Sequence, residues 1–230
     1  ERYPVLYLHG GQNLFDATTA AFGVEWRADE TATRLITDKK TMPVILVGVW
    51  NTAARVDEYT LTKDSQLQRG GLGAAYIDFL ADELKPFVDQ TYRTQRDRKS
   101  TWIGGSSLGG LVSLHASLER PDIYGGCLSF SPSLGWDDER LLKTLSSEAR
   151  WPNDVQLWFS MGTAEGRNAE AHALNTSRAR RLAKQLTENQ KNNSPRIHYC
   201  EFPDATHNED AWSHQFSKAL TYAFAVGINR

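Results

Sequence analysis

Apolar side chains fall along this chain in two alternating rhythms. Short runs rich in β-branched and aromatic residues occur at 5–8, 43–50, 100–104, 125–130, 155–160 and 196–202. Each is bounded by Gly, Pro, Asn or Asp and is too short for an ordinary helix, so six strands are predicted. Between them lie stretches of helical period. The clearest is 75–92, where Ile77, Leu80, Ala81, Leu84, Phe87 and Val88 share one face; the others are 29–37, 108–118, 137–149, 169–190 and 210–226. Strands and helices alternating in this way imply right-handed crossovers and an α/β fold, a mostly parallel sheet with helices on both faces. Chemistry in such sheets collects at the carboxyl ends of the strands. The stretch 51–73 lacks a period and is longer than most connections, which makes it a candidate wall of a binding site.

Composition narrows this picture only slightly. With 230 residues, 40% hydrophobic and 23% charged, the chain reads as a single domain over 1–230 with a large core. A formal charge of -2 and the lack of a Lys/Arg run argue against a nucleic-acid partner. The longest apolar run, 44–50, is far short of the roughly 20 residues that span a bilayer, so no membrane segment is expected. Glu1 stands almost directly before a strand, which reads as a processed, trimmed or excised start; any signal peptide would have been lost, and the compartment stays open. Cys127 and Cys200 sit in apolar strand-like runs and read as small buried thiols rather than a disulfide.

The pentapeptide Gly105-Ser106-Ser107-Leu108-Gly109 carries the chemistry. The bare G-x-S-x-G pattern is weak, since Gly usage of roughly 7% lets a chain of this size meet it by chance on the order of one time in ten. Its setting is informative: a strand ends at Gly104 and a helix-compatible run begins at Leu111, the strand-turn-helix context of a nucleophile elbow. Glycines two residues before and after the serine relieve crowding where helix and strand meet. Centring on Ser106 would put Leu108 where a glycine is needed, so Ser107 is the nucleophile candidate.

A serine hydroxyl needs an imidazole to accept its proton and a carboxylate to orient that imidazole. In α/β-hydrolases the chain order is Ser, Asp or Glu, His. His207 follows the last strand in the loop 203–208 and is the candidate base; His172 is a contender nearer a helix start, and His9, in Leu8-His9-Gly10-Gly11, reads as shaping a loop. Glu165, a few residues past the strand at 155–160, is the candidate acid, with Glu170 as its rival and Asp204 as a substitute acceptor beside the base. Either glutamate could instead be a charge at a helix N-terminus. Such a set calls for no cofactor and no metal.

The oxyanion of acyl transfer needs two N–H donors. Leu108 supplies one, and Gln12 or Gly11 the other. Trp136, Trp50 and Asn51 lie just past strand ends and could contact substrate, an aromatic ring there stacking on an aryl acyl group or a sugar. Arg55 with Glu58, followed by Tyr59, either pins the long loop by an ion pair or meets a polar substrate.

At these residues the chain resembles the esterase D-like "putative esterase" group of α/β-hydrolases, which holds enterochelin and bacillibactin esterases, feruloyl and acetyl xylan esterases and the mycolyltransferases. The likeness runs almost end to end, through residues 3–16, Arg55 with Glu58-Tyr59, Gly104 to Gly110, Ser131-Pro132-Ser133 with Trp136, Gly162 to Glu165, and His207-Asn208-Glu209 with Trp212. It implies Ser107, Glu165 and His207 as triad and Trp136 as a pocket residue. Two departures stand out: the antiparallel strands that usually precede this opening segment are missing or reduced, and Asp is common where Glu165 stands. The resemblance implies hydrolysis of a small-molecule or carbohydrate-linked ester of feruloyl or acetyl type. Acyl transfer to an alcohol, cleavage of a siderophore trilactone, and non-catalytic ligand binding are the alternatives.

Overall fold

The computed structural model describes residues 1–147, 154–188 and 197–227. Six strands, β1 (Val5–His9), β2 (Ile45–Val49), β3 (Thr101–Ser106), β4 (Gly126–Phe130), β5 (Gln156–Gly162) and β6 (Ile197–Phe202), form one sheet in the order β2-β1-β3-β4-β5-β6. Every pairing is parallel, and no antiparallel strand joins the sheet among the described residues. The helices are α1 (Ala28–Thr37), α2 (Arg55–Glu58), α3 (Gly73–Phe79), α4 (Lys85–Thr91), α5 (Leu108–Glu119), α6 (Trp136–Ser147), α7 (Ala169–Glu188) and α8 (Glu209–Phe224). None of them is long and apolar enough to cross a membrane.

Both faces of the sheet are covered, which is why its strands read as near-continuous apolar runs rather than as alternating ones. Leu6, Leu8, Trp102, Leu128, Phe130 and Trp158 pack against α1 and α8 through Trp26, Leu35 and Phe216. Ile103, Cys127, Leu157 and Phe159 face the other way, toward α3, α5, α6 and α7. Helix α5 is apolar nearly all round because it is buried in the middle of this second layer. Cys127 and Cys200 are both free.

Several elements depart from the expected spans. The helix expected over 75–92 is broken into α3 and α4 by a wide π turn, Leu80–Leu84. Pro86 explains it: proline has no N–H for the carbonyl four residues back, and its ring crowds that carbonyl, so the ladder widens before it. The stretch 51–73 holds the single-turn helix α2, too short to show a period. The expected helix 137–149 begins with three left-handed residues, Asp137, Asp138 and Glu139, so its right-handed part starts later. The last residues expected for that helix and for 169–190, together with the first of strand 196–202, lie outside the described residues.

Candidate active site

The strand order places the site. The chain runs from β1 to β2 on one side and then returns to β3 on the other, so the loops after β1 and β3 diverge and leave a crevice between them. Gly10 to Gln12 leave the end of β1, and Ser107 follows β3.

Ser107 has φ 57 and ψ -122, a conformation that costs a residue with a Cβ of order 1–3 kcal/mol. The turn is held from both ends: Ser107 N–H donates to the Phe130 carbonyl at 2.9 Å, and its carbonyl accepts from Ser133 at 3.1 Å and Leu111 at 3.0 Å. The glycines are needed for space. A Cβ on Gly105 would lie 3.0 Å from His9 Cβ and 3.1 Å from the Gly109 carbonyl carbon. Strand and helix are therefore close enough to aim Ser107 outward, at the N-terminus of α5.

His207 Nε2 lies 2.9 Å from Ser107 Oγ, and its Nδ1 lies 2.8 Å from Glu165 Oε2. The imidazole stands immediately before α8, whose start is fixed by the Asn208 side chain accepting from Ala211 N–H at 2.9 Å. Glu165 is buried and its other oxygen is fully engaged: Oε1 accepts from Gly162 N–H at 2.7 Å and from the Ser131 hydroxyl. The Ser131 oxygen accepts in turn from the Trp212 indole at 2.9 Å, and the Trp212 ring stands edge-on to His207 at 4.9 Å. Ser133 Oγ lies 3.3 Å from Ser107 Oγ. A hydroxyl, an imidazole and a buried carboxylate in this order can transfer a proton from the hydroxyl and stabilise the imidazolium that results.

The rival residues fall elsewhere. Glu170 is exposed at the start of α7, and Asp204 is an exposed turn residue with φ 57. His172 lies on α7 and hydrogen-bonds through its backbone to Asn168, while His9 is buried beneath the elbow.

A cleft of about 410 Å³ opens over Ser107, lined by His207, Trp212, Arg55, Asn51 and Phe22. Gln12 also lines it, and its side chain bonds to Asn51 in both directions: the amide donates to Asn51 Oδ1, and Oε1 accepts Asn51 N–H at 3.3 Å. Gly11 is buried at the base of this loop, and Leu108 opens α5. The two tryptophans line hollows beside this cleft. Trp50, 63% exposed, follows the edge strand β2 and lines a separate apolar groove with Val47, Leu72 and Phe79, while its neighbour Asn51 lines the cleft. Trp136 is anchored by its indole to the Thr62 carbonyl at 2.9 Å and lines a neighbouring hollow of about 310 Å³ that shares His207 with the cleft. Arg55 stacks over Tyr59 at 5.2 Å, and Glu58 accepts from Thr52, so no ion pair joins Arg55 to Glu58 among the described residues.

The supports Ser131 and Trp212 were visible in the sequence as parts of motifs but carried no sign of their partners, which lie 34 and 81 residues from Ser131. Phe22 and Trp26 gave no signal beyond being aromatic.

Comparison with known proteins agrees with this architecture. The chain is 30% identical to the ferri-bacillibactin esterase BesA of Bacillus subtilis over 61% of its own length, spanning 51% of that protein. It is 32% identical to an endo-1,4-beta-xylanase/feruloyl esterase of Xylanibacter ruminicola over 54% of its length, spanning only 16% of that larger protein. The crystal structure of an IroE-like serine hydrolase from Shewanella oneidensis superimposes with a TM-score of 0.76 at 22% identity, over 97% of this chain and 71% of the other. The model of the Esterase family, described as "Putative esterase", matches residues 1–223, and the chain belongs to that family.

Proposed function

We propose that this chain, acting as one domain, is a serine carboxylic-ester hydrolase that works through an acyl-Ser107 intermediate. The observation carrying this reading is the unbroken line from Ser107 Oγ through His207 to buried Glu165, with both contacts under 3 Å. His207 accepts the Ser107 proton as Oγ attacks the ester carbonyl, and Glu165 stabilises the imidazolium. The oxyanion meets the N–H of Leu108 and that of Gln12 or Gly11. Collapse of the tetrahedral intermediate expels the alcohol, which takes the proton from His207; water then repeats the sequence on the acyl-enzyme. The His207 side chain is 39% exposed, which favours water over a competing alcohol as acceptor.

The substrate we infer is a small ester with an aromatic acyl half, of feruloyl type. Phe22 offers exposed apolar surface at the cleft, which the largely buried Trp26 and Trp212 also line, and Arg55, Asn51 and Gln12 offer polar groups. The name of the Xylanibacter relative supports the feruloyl reading; that of the Bacillus relative favours a second, a catecholate trilactone, which carries aromatic rings beside its esters. Ser107→Ala should abolish turnover of 4-nitrophenyl acetate with the fold intact. Wild-type turnover in that variant, or failure of a fluorophosphonate to label Ser107, would overturn the hydrolase reading. A panel of feruloyl esters, acetylated sugars, short nitrophenyl esters and a catecholate trilactone should give the highest kcat/KM on an aromatic ester; a preference for acetylated sugars would overturn the aromatic half of the proposal.

A further inference from the structure

Tyr59 and Tyr76 are buried beside the crevice, and both hydroxyls are engaged. Tyr59 Oη accepts the N–H of Gly10 at 3.2 Å, and Tyr76 Oη lies 2.9 Å from His9 Nδ1. The three rings pack together, with centroids 5.1 to 5.6 Å apart.

The Gly10 N–H is thus the backbone donor that this aromatic cluster holds, and the His9 ring within it stays neutral, its pKa pushed down to about 3 by burial with Arg55 adding to it.

Gly10 is where this matters. It is left-handed, with φ 68, and directly precedes the turn Gly11–Asn13 that leads into the cleft. On the far side, Gly11 lies against β2 so closely that a Cβ there would sit 2.5 Å from the Gly48 carbonyl carbon. The loop is thus braced by β2 on one side and tied by Tyr59 on the other. We propose that the Tyr59 hydroxyl, held in place by the packing of its ring against His9 and Tyr76, fixes the Gly10 peptide and so sets the aim of the Gly11 or Gln12 N–H at the oxyanion. Tyr59 is a positioning residue, acting through the loop. This rests on the reading of Ser107 as nucleophile and of the 10–12 loop as oxyanion donor.

The test uses Tyr59→Phe, Tyr76→Phe and the double variant, each measured for kcat and KM on 4-nitrophenyl acetate and for thermal midpoint. A misaimed donor acts on the transition state, so Tyr59→Phe should lower kcat by about tenfold with KM within about twofold. Tyr76→Phe keeps the ring that packs on Tyr59 and leaves the Gly10 bond in place, so it should lower kcat less, and the double variant should be no slower than Tyr59→Phe alone. Unchanged kcat in Tyr59→Phe, a rise in KM alone, or additive losses that track the thermal midpoint would overturn the proposal. Should Tyr59→Phe fail to fold, Tyr59→Met, which also lacks the hydroxyl, decides by the same split between kcat and KM. Residual wild-type turnover in Ser107→Ala would instead mark failure of the underlying reading.

Discussion

Glu165→Gln is the substitution for which the structure makes the sharpest prediction. The two side chains have the same shape, so the result depends on which end of the new amide faces His207. Oε1 of Glu165 accepts from both Gly162 N–H and Ser131, two donors with nowhere else to turn in a buried site. Placing the amide nitrogen there would set donor against donor, at about 1–3 kcal/mol for each bond lost. The carbonyl oxygen of Gln therefore keeps that place, and its NH₂ group faces His207 Nδ1, now 2.8 Å from Glu165 Oε2. The amide donates to Nδ1, the proton moves to Nε2, and Nε2 sits 2.9 Å from Ser107 Oγ with a hydrogen where a lone pair is needed. An imidazole held in the wrong tautomer elsewhere lowers kcat about 10⁴-fold, or roughly 5–6 kcal/mol of transition-state stabilisation. Stopped-flow release of nitrophenolate should show acylation slowed by that order, with a thermal midpoint near wild type. A kcat within about tenfold of wild type in a folded Glu165→Gln would refute the assignment of Glu165 as the orienting acid.

Two predictions concern stability. Gly105→Ala puts a Cβ 3.0 Å from His9 Cβ and 3.1 Å from the Gly109 carbonyl carbon, neither of which can yield without moving β1 or α5. The expected cost is about 1–3 kcal/mol, read as a fall in the thermal midpoint of roughly 2–4 °C per kcal/mol, and a variant with unchanged midpoint would contradict the packing argument. The second is pH dependence: burial lowers the pKa of His9 to about 3 and of His115 to about 4, so between the ordinary value of 6.5 and those values the unfolded chain holds protons that the folded one does not. Stability should then be greatest above pH 6.5 and fall on acidification, at about 1.4 kcal/mol per pH unit for each histidine, until the folded form titrates. Urea midpoints at pH 7 and pH 5 would show it; equal midpoints would mean that neither ring is kept neutral by burial.

What was legible in the sequence follows from how local each signal is. The strands could be read because a doubly covered sheet buries whole runs, and the α/β class followed from their alternation with helices. The π turn was hidden because the apolar face of 75–92 continues across Pro86 as though the helix were unbroken. The left-handed turn Asp137–Glu139 reads in sequence as an acidic helix start, and what holds it is distant: Asp64 accepts from Asp137 N–H, and Arg178 pairs with Glu139 at 2.9 Å. Ser107 was legible because the constraint on it, glycine at two flanking positions, lies within five residues. Glu165 and His207 required the order of strands, which places a residue after β5 beside a residue after β6. That Trp50 and Asn51, adjacent after β2, line different hollows depends on tertiary packing that no local pattern displays.

The use of glutamate rather than aspartate at position 165 has a geometric explanation. Glu165 lies only three residues beyond Gly162, and its carboxylate folds back to accept that residue's N–H. A side chain one methylene shorter would have to choose between reaching back to Gly162 and reaching across to His207. With glutamate one oxygen meets both Gly162 and Ser131 while the other faces the imidazole, so the buried charge is compensated on each side. The base experiences a different environment, 39% exposed and steadied by the edge of Trp212. The fixed charge is thus sealed in the layer beneath, and only the groups that must exchange protons with substrate and water reach the cleft. That division suits a reaction in which the orienting carboxylate keeps its charge while the imidazole gains and loses a proton at each step.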